Sequence, residues 1–301
     1  MGKIIGIGGI SYDHIGFIDK MPNWNTTEYM SKYLTQHGGI VSTALLTAAK
    51  LGNQVEYIGG IGDDIEGKKI LSILKSANVE INQVQVFKNQ STPTSLVLVN
   101  NQTGDRTIIH YRGVQFNDRL NLNNIDFTDI SYIHIDGFWY RTFLENVSKI
   151  DTKKTKIIVD PSSCINEEIA DKIFPIVDYI IPSYIYASKF TSEKNVWKAC
   201  EKIMKYSPKA VIITKGSEGS FIMTNDERKH IPAIKVKAIN TNGAGDVFHG
   251  GFISALNDNK NIFEAAKYAS YVAGLKCTKT GGIDSIPNYE EVKRFIDNNQ
   301  V

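Results

Sequence analysis

Compact runs rich in isoleucine and valine recur along this chain, each followed by a helical or loop segment. That alternation restricts the fold to a largely parallel sheet with crossover connections. Lys3 to Ile7, Val55 to Ile58, Tyr132 to Ile135, Lys156 to Val159, Asp178 to Ile181 and Ala210 to Ile213 read as its strands. Helical spacing covers about Val41 to Leu51 and Ile65 to Ala77, and a late helix carries Ala265, Ala269, Val272, Ala273 and Leu275 on one apolar face. Two stretches break the rhythm. Ile15 to Gln36, and Thr94 to Tyr111 with its polar turn Asn100-Asn101-Gln102-Thr103-Gly104-Asp105, read as antiparallel strands and hairpins. The sequence therefore predicts one Rossmann-like α/β domain over 1–301, its mostly parallel sheet flanked by helices, with a small β-sheet lid inserted at about 12–37 and 92–113.

The 301 residues suffice for a large core, and Lys+Arg 34 against Asp+Glu 32 leaves no basic footprint of the kind that nucleic-acid or anionic-membrane binders carry. A small-molecule partner is expected instead. Cys164, Cys200 and Cys277 are far apart and form no C-x-x-C pair, which speaks against a disulfide framework and against a zinc site. They are expected to be reduced, in cytoplasm. The six histidines show no H-E-x-x-H or i,i+4 spacing, so no histidine metal cage is expected. The glycine-broken start, Met1 to Gly9, does not read as a signal peptide, and no apolar run approaches a membrane span.

The chemistry concentrates in glycine turns. Asn240-Thr241-Asn242-Gly243-Ala244-Gly245-Asp246-Val247-Phe248-His249-Gly250 runs such a turn into an aspartate and an apolar helix. Gly243, Ala244 and Gly245 let successive N–H groups converge at the positive end of the helix dipole, which suits a phosphate or a developing anion. The Asp246 carboxylate beside them could take a proton from a hydroxyl. A capped helix start with an acidic first turn would look the same locally. Gly38-Gly39, opening the helix that ends at Gly52, and Thr214-Lys215-Gly216-Ser217-Glu218-Gly219, after a strand, offer backbone amides to a ligand's oxygens or serve as ordinary punctuation. Gly59 to Gly67 reads as structural, since its partial P-loop spacing ends in Lys69 where a serine or threonine is required. Gly6-Ile7-Gly8-Gly9 lacks the third glycine of a dinucleotide fingerprint, Ser11 standing in its place. Asp13, just past the first strand, stands where parallel sheets bind ligands and could accept two sugar hydroxyls; a surface-turn aspartate fits equally.

Taken in order, these motifs cover essentially the whole chain and resemble the successive signatures of the ribokinase-like (PfkB) carbohydrate kinases: Gly38-Gly39 with Lys50-Leu51-Gly52, Gly59 to Gly67, Thr214 to Gly219, and Gly243-Ala244-Gly245-Asp246. The resemblance implies ATP-dependent phosphorylation of a sugar or related alcohol with Mg2+. It implies Asp246 as catalytic base, Gly243, Ala244 and Gly245 as anion hole, and Asp13, Gly38, Gly39 and Thr43 facing the acceptor. Thr214, Gly216, Gly219, Ser183 and Cys277 would lie along the nucleotide, its adenine near Val272 and Lys276-Cys277-Thr278. Within the family, Thr107-Ile108-Ile109, Tyr132 to Gly137 and Val272 to Cys277 look most like ketohexokinase, and Gly243 to Gly250 with Ala269 to Gly282 like sulfofructose kinase. That implies a ketohexose-like acceptor, with a nucleoside kinase or a catalytically weak sugar-binding regulator as alternatives.

Several positions depart from the family. Thr43 stands where an asparagine is usual, which leaves the sugar preference open. The Asn-x-x-Glu signature would fall at Ser183 to Tyr186 and is absent, so the ligands of Mg2+ stay unassigned. Asn240 replaces a common aspartate, leaving potassium dependence open, and Glu28 and Phe138 stand where sulfofructose kinase uses basic side chains, which ranks a neutral sugar above a sulfonate. The lid's exposed strands predict a homodimer formed through it.

Overall fold

A computed structural model describes residues 2–104, 106–117, 119–123, 125–162, 165–281 and 283–299; Asp105 of the expected hairpin turn, Cys164 and Gly282 lie outside the described residues. The first part of the chain forms β1 (Lys3–Ile7), β2 (Ser11–Ile18), β3 (Lys32–Gly38), α1 (Ile40–Lys50), β4 (Val55–Ile58), β5 (Gly60–Gly62), α2 (Ile65–Ser76), β6 (Val79–Glu80), β7 (Gln85–Phe87), β8 (Thr94–Asn100) and β9 (Arg106–Tyr111). It continues through β10 (Ile130–Ile135), α3 (Tyr140–Asn146), β11 (Lys156–Val159), α4 (Glu167–Ile173), β12 (Tyr179–Ile180), α5 (Tyr184–Thr191) and α6 (Val196–Met204). The last part holds β13 (Ala210–Thr214), β14 (Ser220–Met223), β15 (Arg228–Ile231), α7 (Ala244–Asn257), α8 (Ile262–Cys277) and α9 (Tyr289–Asn299).

The large sheet has the order β15-β14-β13-β12-β11-β10-β1-β4-β6, parallel from β13 to β6 and antiparallel at the β13–β14 and β14–β15 pairs. Its parallel strands are apolar throughout because both faces are covered. Ile4, Tyr57, Ile158 and Ile212 point to one side, where they pack with Leu45 of α1, Leu74 of α2, Phe252 of α7 and Val272 of α8. Ile5, Ile58, Ile157 and Ile213 point to the other, against Phe143 of α3, Ile173 of α4, Ala187 of α5 and Ile203 of α6. Each large side chain so buried contributes about 1.5–3 kcal/mol. The expected strand Asp178 to Ile181 is regular over Tyr179–Ile180, and at its start the Asp178 carboxylate accepts the Ile157 amide at 2.9 Å while the Asp178 amide donates to the Ile157 carbonyl at 2.8 Å.

A second sheet has the order β3-β2-β8-β9. The β2–β3 and β8–β9 pairs are antiparallel, as the hairpin patterns predict, whereas β2 and β8 pair in parallel. Both of these strands enter from one end, where the Tyr12 amide donates to the Pro93 carbonyl at 2.9 Å. The Gly59 to Gly67 segment is structural here: Asp64 caps α2 by accepting the Gly67 amide at 2.9 Å and takes the Thr92 amide at 2.7 Å, tying the helix to the entry of β8.

Helix α7 is enclosed along its length from Val247 to Asn257. It can be so because of two glycines: a Cβ on Gly250 would lie 2.3 Å from the Ala44 carbonyl oxygen of α1, and one on Gly251 would lie 3.1 Å from the Ala269 Cα of α8. Cys200 and Cys277 are buried free thiols. No helix among the described residues is long and apolar enough to cross a membrane.

Candidate active site

The carboxyl ends of β1, β10 and β11 open into a cavity of about 910 Å3, whose lining includes Asp13, Gly38, Gly39, Thr43, Ser183, Thr214, Gly243, Gly245 and Asp246. Parallel sheets bind ligands at this edge because the helix starts, with their unpaired amides, face the same way.

One wall is the first turn of α7. Gly243 takes the left-handed conformation, φ 74°, and brings the chain into the helix with no side-chain cap. The amide of Ala244 is turned back onto the Thr241 carbonyl at 3.2 Å, so it is not free for a ligand. Among the described residues the amides of Gly245 and Asp246 have no partner, and a Cβ on Gly245 would meet nothing within 4 Å. The Gly243 amide likewise has no partner among the described residues, so the available donors are Gly243, Gly245 and Asp246, and of the set expected from sequence only Ala244 is turned away.

The facing wall comes from the small sheet, through Ser11, Asp13, Gly38, Ser95, Arg106 and His110. Asp13 is 8% exposed, accepts the Ser11 hydroxyl at 2.7 Å, and has its carboxyl raised by burial against the opposing pull of Ser11 and Ser95. Gly38 makes room for it, since a Cβ there would stand 2.3 Å from the Asp13 Oδ2. Gly39 has φ 102° and presses on Ile10, where a Cβ would come within 2.5 Å of the Ile10 Cα. At the start of α1 two amides are engaged within the protein. The Ser42 amide donates to the Gly9 carbonyl at 3.4 Å, and the Val41 amide serves the buried Asp136 carboxylate together with the amides of Gly9 and Phe138. Gly38, Gly39, Ile40 and the Thr43 side chain line the cavity at this element.

Three groups around the cavity were given no part in the phosphoryl site by sequence, although the resemblance placed Lys276 near the adenine. Asp160 lies just past β11 and accepts from His249 of α7, Nε2 to Oδ2 3.1 Å, with both side chains nearly enclosed. The His249 pair and the Ser162 bonds hold the Asp160 carboxyl below its ordinary range even though burial alone would raise it. His249 in turn stacks on His134, ring centroids 5.1 Å apart, and burial keeps His134 neutral by lowering it to about 3. Lys276 of α8 is the third, 3% exposed on the cavity wall. Burial first, and the negative charge of Asp160 second, push the Asp246 carboxyl up to about 7. A carboxyl at that value, beside free amides, is a proton acceptor suited to neutral pH. Asp160 follows a parallel strand just as Asp13 follows β1, so the same positional argument could have found it.

Of the residues expected along a nucleotide, Ser183 and Thr214 lie side by side in a parallel bridge and both line the cavity. The Ser183 hydroxyl caps α5 by accepting the Tyr186 amide at 3.2 Å, which explains a serine where the Asn-x-x-Glu pattern would begin. Gly216, Gly219 and Cys277 lie outside the cavity lining. Gly219 is required by packing: a Cβ there would lie 2.1 Å from the Ile231 carbonyl oxygen. The Cys277 carbonyl accepts the amides of Ile239 and Asn240 at 2.7 and 3.2 Å, so its part is to anchor the loop before Gly243. Val272 is fully buried in the core and does not border the cavity. Among the described residues no three His, Cys, Asp or Glu side chains stand close enough to hold a metal ion.

The pattern of the pfkB family carbohydrate kinases matches residues 1–289. The chain belongs to that family. A ribokinase of Haemophilus influenzae is 24% identical over 97% of both chains, and a nucleoside kinase of Methanothermobacter thermautotrophicus is 23% identical over 97% of this chain and 95% of its own. A ribokinase from Thermotoga maritima, solved by crystallography, superposes with a TM-score of 0.85 at 26% identity, covering 99% of this chain and 100% of that one. These relatives correct one expectation. The nearest branch is that of ribokinases and nucleoside kinases, not ketohexokinase or sulfofructose kinase. The stretches that suggested otherwise are short pieces of β9, β10, α7 and α8 with the turns beside them, and although Ile108, Gly137, Asp246 and Lys276 among them line the cavity, matches this short do not fix an acceptor.

Proposed function

We propose that this pfkB-family kinase transfers the γ-phosphoryl group of ATP, supplied with Mg2+, to a hydroxyl of a ribose-type sugar. The observation that carries the reading is that Asp246, the free amides of Gly245 and Asp246, and Asp13 all border one cavity at the carboxyl edge of the sheet. Asp13, on the small sheet, accepts acceptor hydroxyls and fixes the sugar. Asp246 takes the proton of the reacting hydroxyl as its oxygen bonds to the γ-phosphorus, and the bond from that phosphorus to the β–γ bridging oxygen breaks to release ADP. The amides at the start of α7 stabilise the charge on the transferring group. Thr214 and Ser183 border the nucleotide. The donor set fits a Mg2+ that arrives with the phosphates: Asp160 and Asp246 are single carboxylates, not a cage, and this ion is commonly held by one or two carboxylates plus substrate oxygens.

The small sheet supplies a wall of the acceptor site and so acts as the lid that excludes water. Leu96, Ile109 and Tyr111 are 39%, 57% and 55% exposed on that sheet, which supports pairing of two copies through it. Light scattering is then expected to give twice the mass of one chain; a single-chain mass at micromolar concentration would exclude the pairing.

A nucleoside acceptor is the second reading. It is favoured by His110 and Phe138, rings 5.6 Å apart in the cavity wall, where a base could stack. ADP release measured over pentoses, ketohexoses and nucleosides separates the two, and ribose-type sugars are expected to give the highest rate. Stabilisation by sugar with no ADP release from any acceptor would instead identify a binding protein.

A further inference from the structure

The Lys276 side chain reaches from the last turn of α8 into the loop that carries the anion-binding turn. Its ammonium donates to the Asn240 carbonyl at 3.1 Å and to the Asn242 carbonyl, and no carboxylate pairs with it among the described residues. A charge this enclosed needs compensation. It comes from main-chain carbonyls and from the negative end of the α8 dipole, the surroundings by which backbone oxygens hold a bare monovalent cation. The same loop is pinned on its other side. The amides of Ile239 and Asn240 donate to the Cys277 carbonyl at 2.7 and 3.2 Å, the Asn240 side-chain amide donates to the Thr280 carbonyl at 2.8 Å, and the Asn242 amide donates to the Asn240 Oδ1 at 2.9 Å. An aspartate at position 240 would lack the donor that the Thr280 carbonyl receives. The carbonyls of Asn240 and Asn242 are thus turned onto the lysine, and a second cation brought to them would meet its charge at contact distance.

We propose that Lys276 is a tethered cation: its ammonium takes the place of a bound monovalent metal ion beneath residues 240–242, sets the position of the Gly243–Asp246 turn, and makes the protein independent of potassium. The role is that of a positioning residue and rests on the kinase reading above. Burial lowers the Lys276 ammonium to about 8, which still leaves it charged at neutral pH.

The test compares the wild-type chain with Lys276→Ala and Lys276→Met in N-methylglucamine, potassium and ammonium chlorides at one ionic strength, pH 7. Thermal melting and ATP-dependent ADP release are both read. Wild type is expected to melt at one temperature in all three salts and to turn over at rates within about twofold of each other. Lys276→Ala is expected to lose roughly tenfold or more in kcat with little change in KM for ATP. Ammonium or potassium should recover a several-fold part of that loss and raise the melting temperature of the variant alone. Lys276→Met keeps the apolar stem and separates loss of charge from loss of packing; it should behave as the alanine variant does. Potassium stimulation of wild type, or variants that are fully active or not rescued in either readout, would overturn the proposal. Absence of ADP release from wild type with every acceptor would sink the kinase reading, and the salt dependence of melting would still decide the case of Lys276.

Discussion

Asp246→Asn is expected to lower kcat by roughly 10²- to 10⁴-fold while leaving KM for ATP within a few-fold of wild type. The amide keeps the size of the carboxylate at the start of α7 and leaves the free amides of Gly245 and Asp246 in place, so the phosphate site survives. What disappears is the ability to accept the proton of the attacking hydroxyl. Steady-state ADP release with saturating acceptor measures the loss. Turnover within about threefold of wild type would remove Asp246 from the reaction and leave the glycine turn as a phosphate cradle only.

The rate should also depend steeply on acidity. With the Asp246 carboxyl at about 7, kcat/KM is expected to fall roughly tenfold per pH unit below that value, so that at pH 5 it stands about 100-fold under its plateau. Burial is the first cause of the raised value and the Asp160 charge the second, so Asp160→Asn should move the midpoint down. The same shift acts on stability. The carboxyl binds its proton more tightly in the folded chain than at its ordinary value of 3.8, so its stabilising effect is full below that pH. That effect is lost as pH rises through about 7, above which the fold carries the cost of a charged, half-buried carboxylate. Asp246→Asn should therefore melt higher than wild type at pH 8, by a margin that shrinks as the pH approaches 4. The buried Asp136, also raised to about 7, is common to both proteins and drops out of the comparison. A rate profile with its midpoint near 4, or a variant less stable than wild type at pH 8, would contradict the electrostatic account.

Much of the scaffold was legible because it is locally encoded. The strands β1, β4 and β11 fall on the expected residues, since a strand covered on both faces must be apolar along its whole length. The two hairpins of the small sheet were legible from alternation and a polar turn. Their parallel junction through β2 and β8 was not, because pairing of segments so distant in the chain leaves no local pattern. At the site, the Gly243–Asp246 turn and Asp13 could be found from glycine chemistry and position. The reversal of the Ala244 amide could not, since it follows from the conformation of one turn. Neither could Lys276: in the sequence it sits inside an apolar helical stripe, and only the fold brings Asn240 and Asn242 to its ammonium.

Helix α7 is wedged between α1 and α8 with glycine backbone at both crossings, so it can neither slide nor tilt without collision. Asp246 at its head, the proposed proton acceptor, is thereby a fixed reference point. Whatever travel is needed to admit and trap an alcohol must come from the other partner, the four-stranded sheet bearing Asp13, which hangs from the main body by connecting segments near 8–10, 39, 88–93 and 112. Stiffening those hangers would slow entry and exit while leaving the chemistry between them untouched.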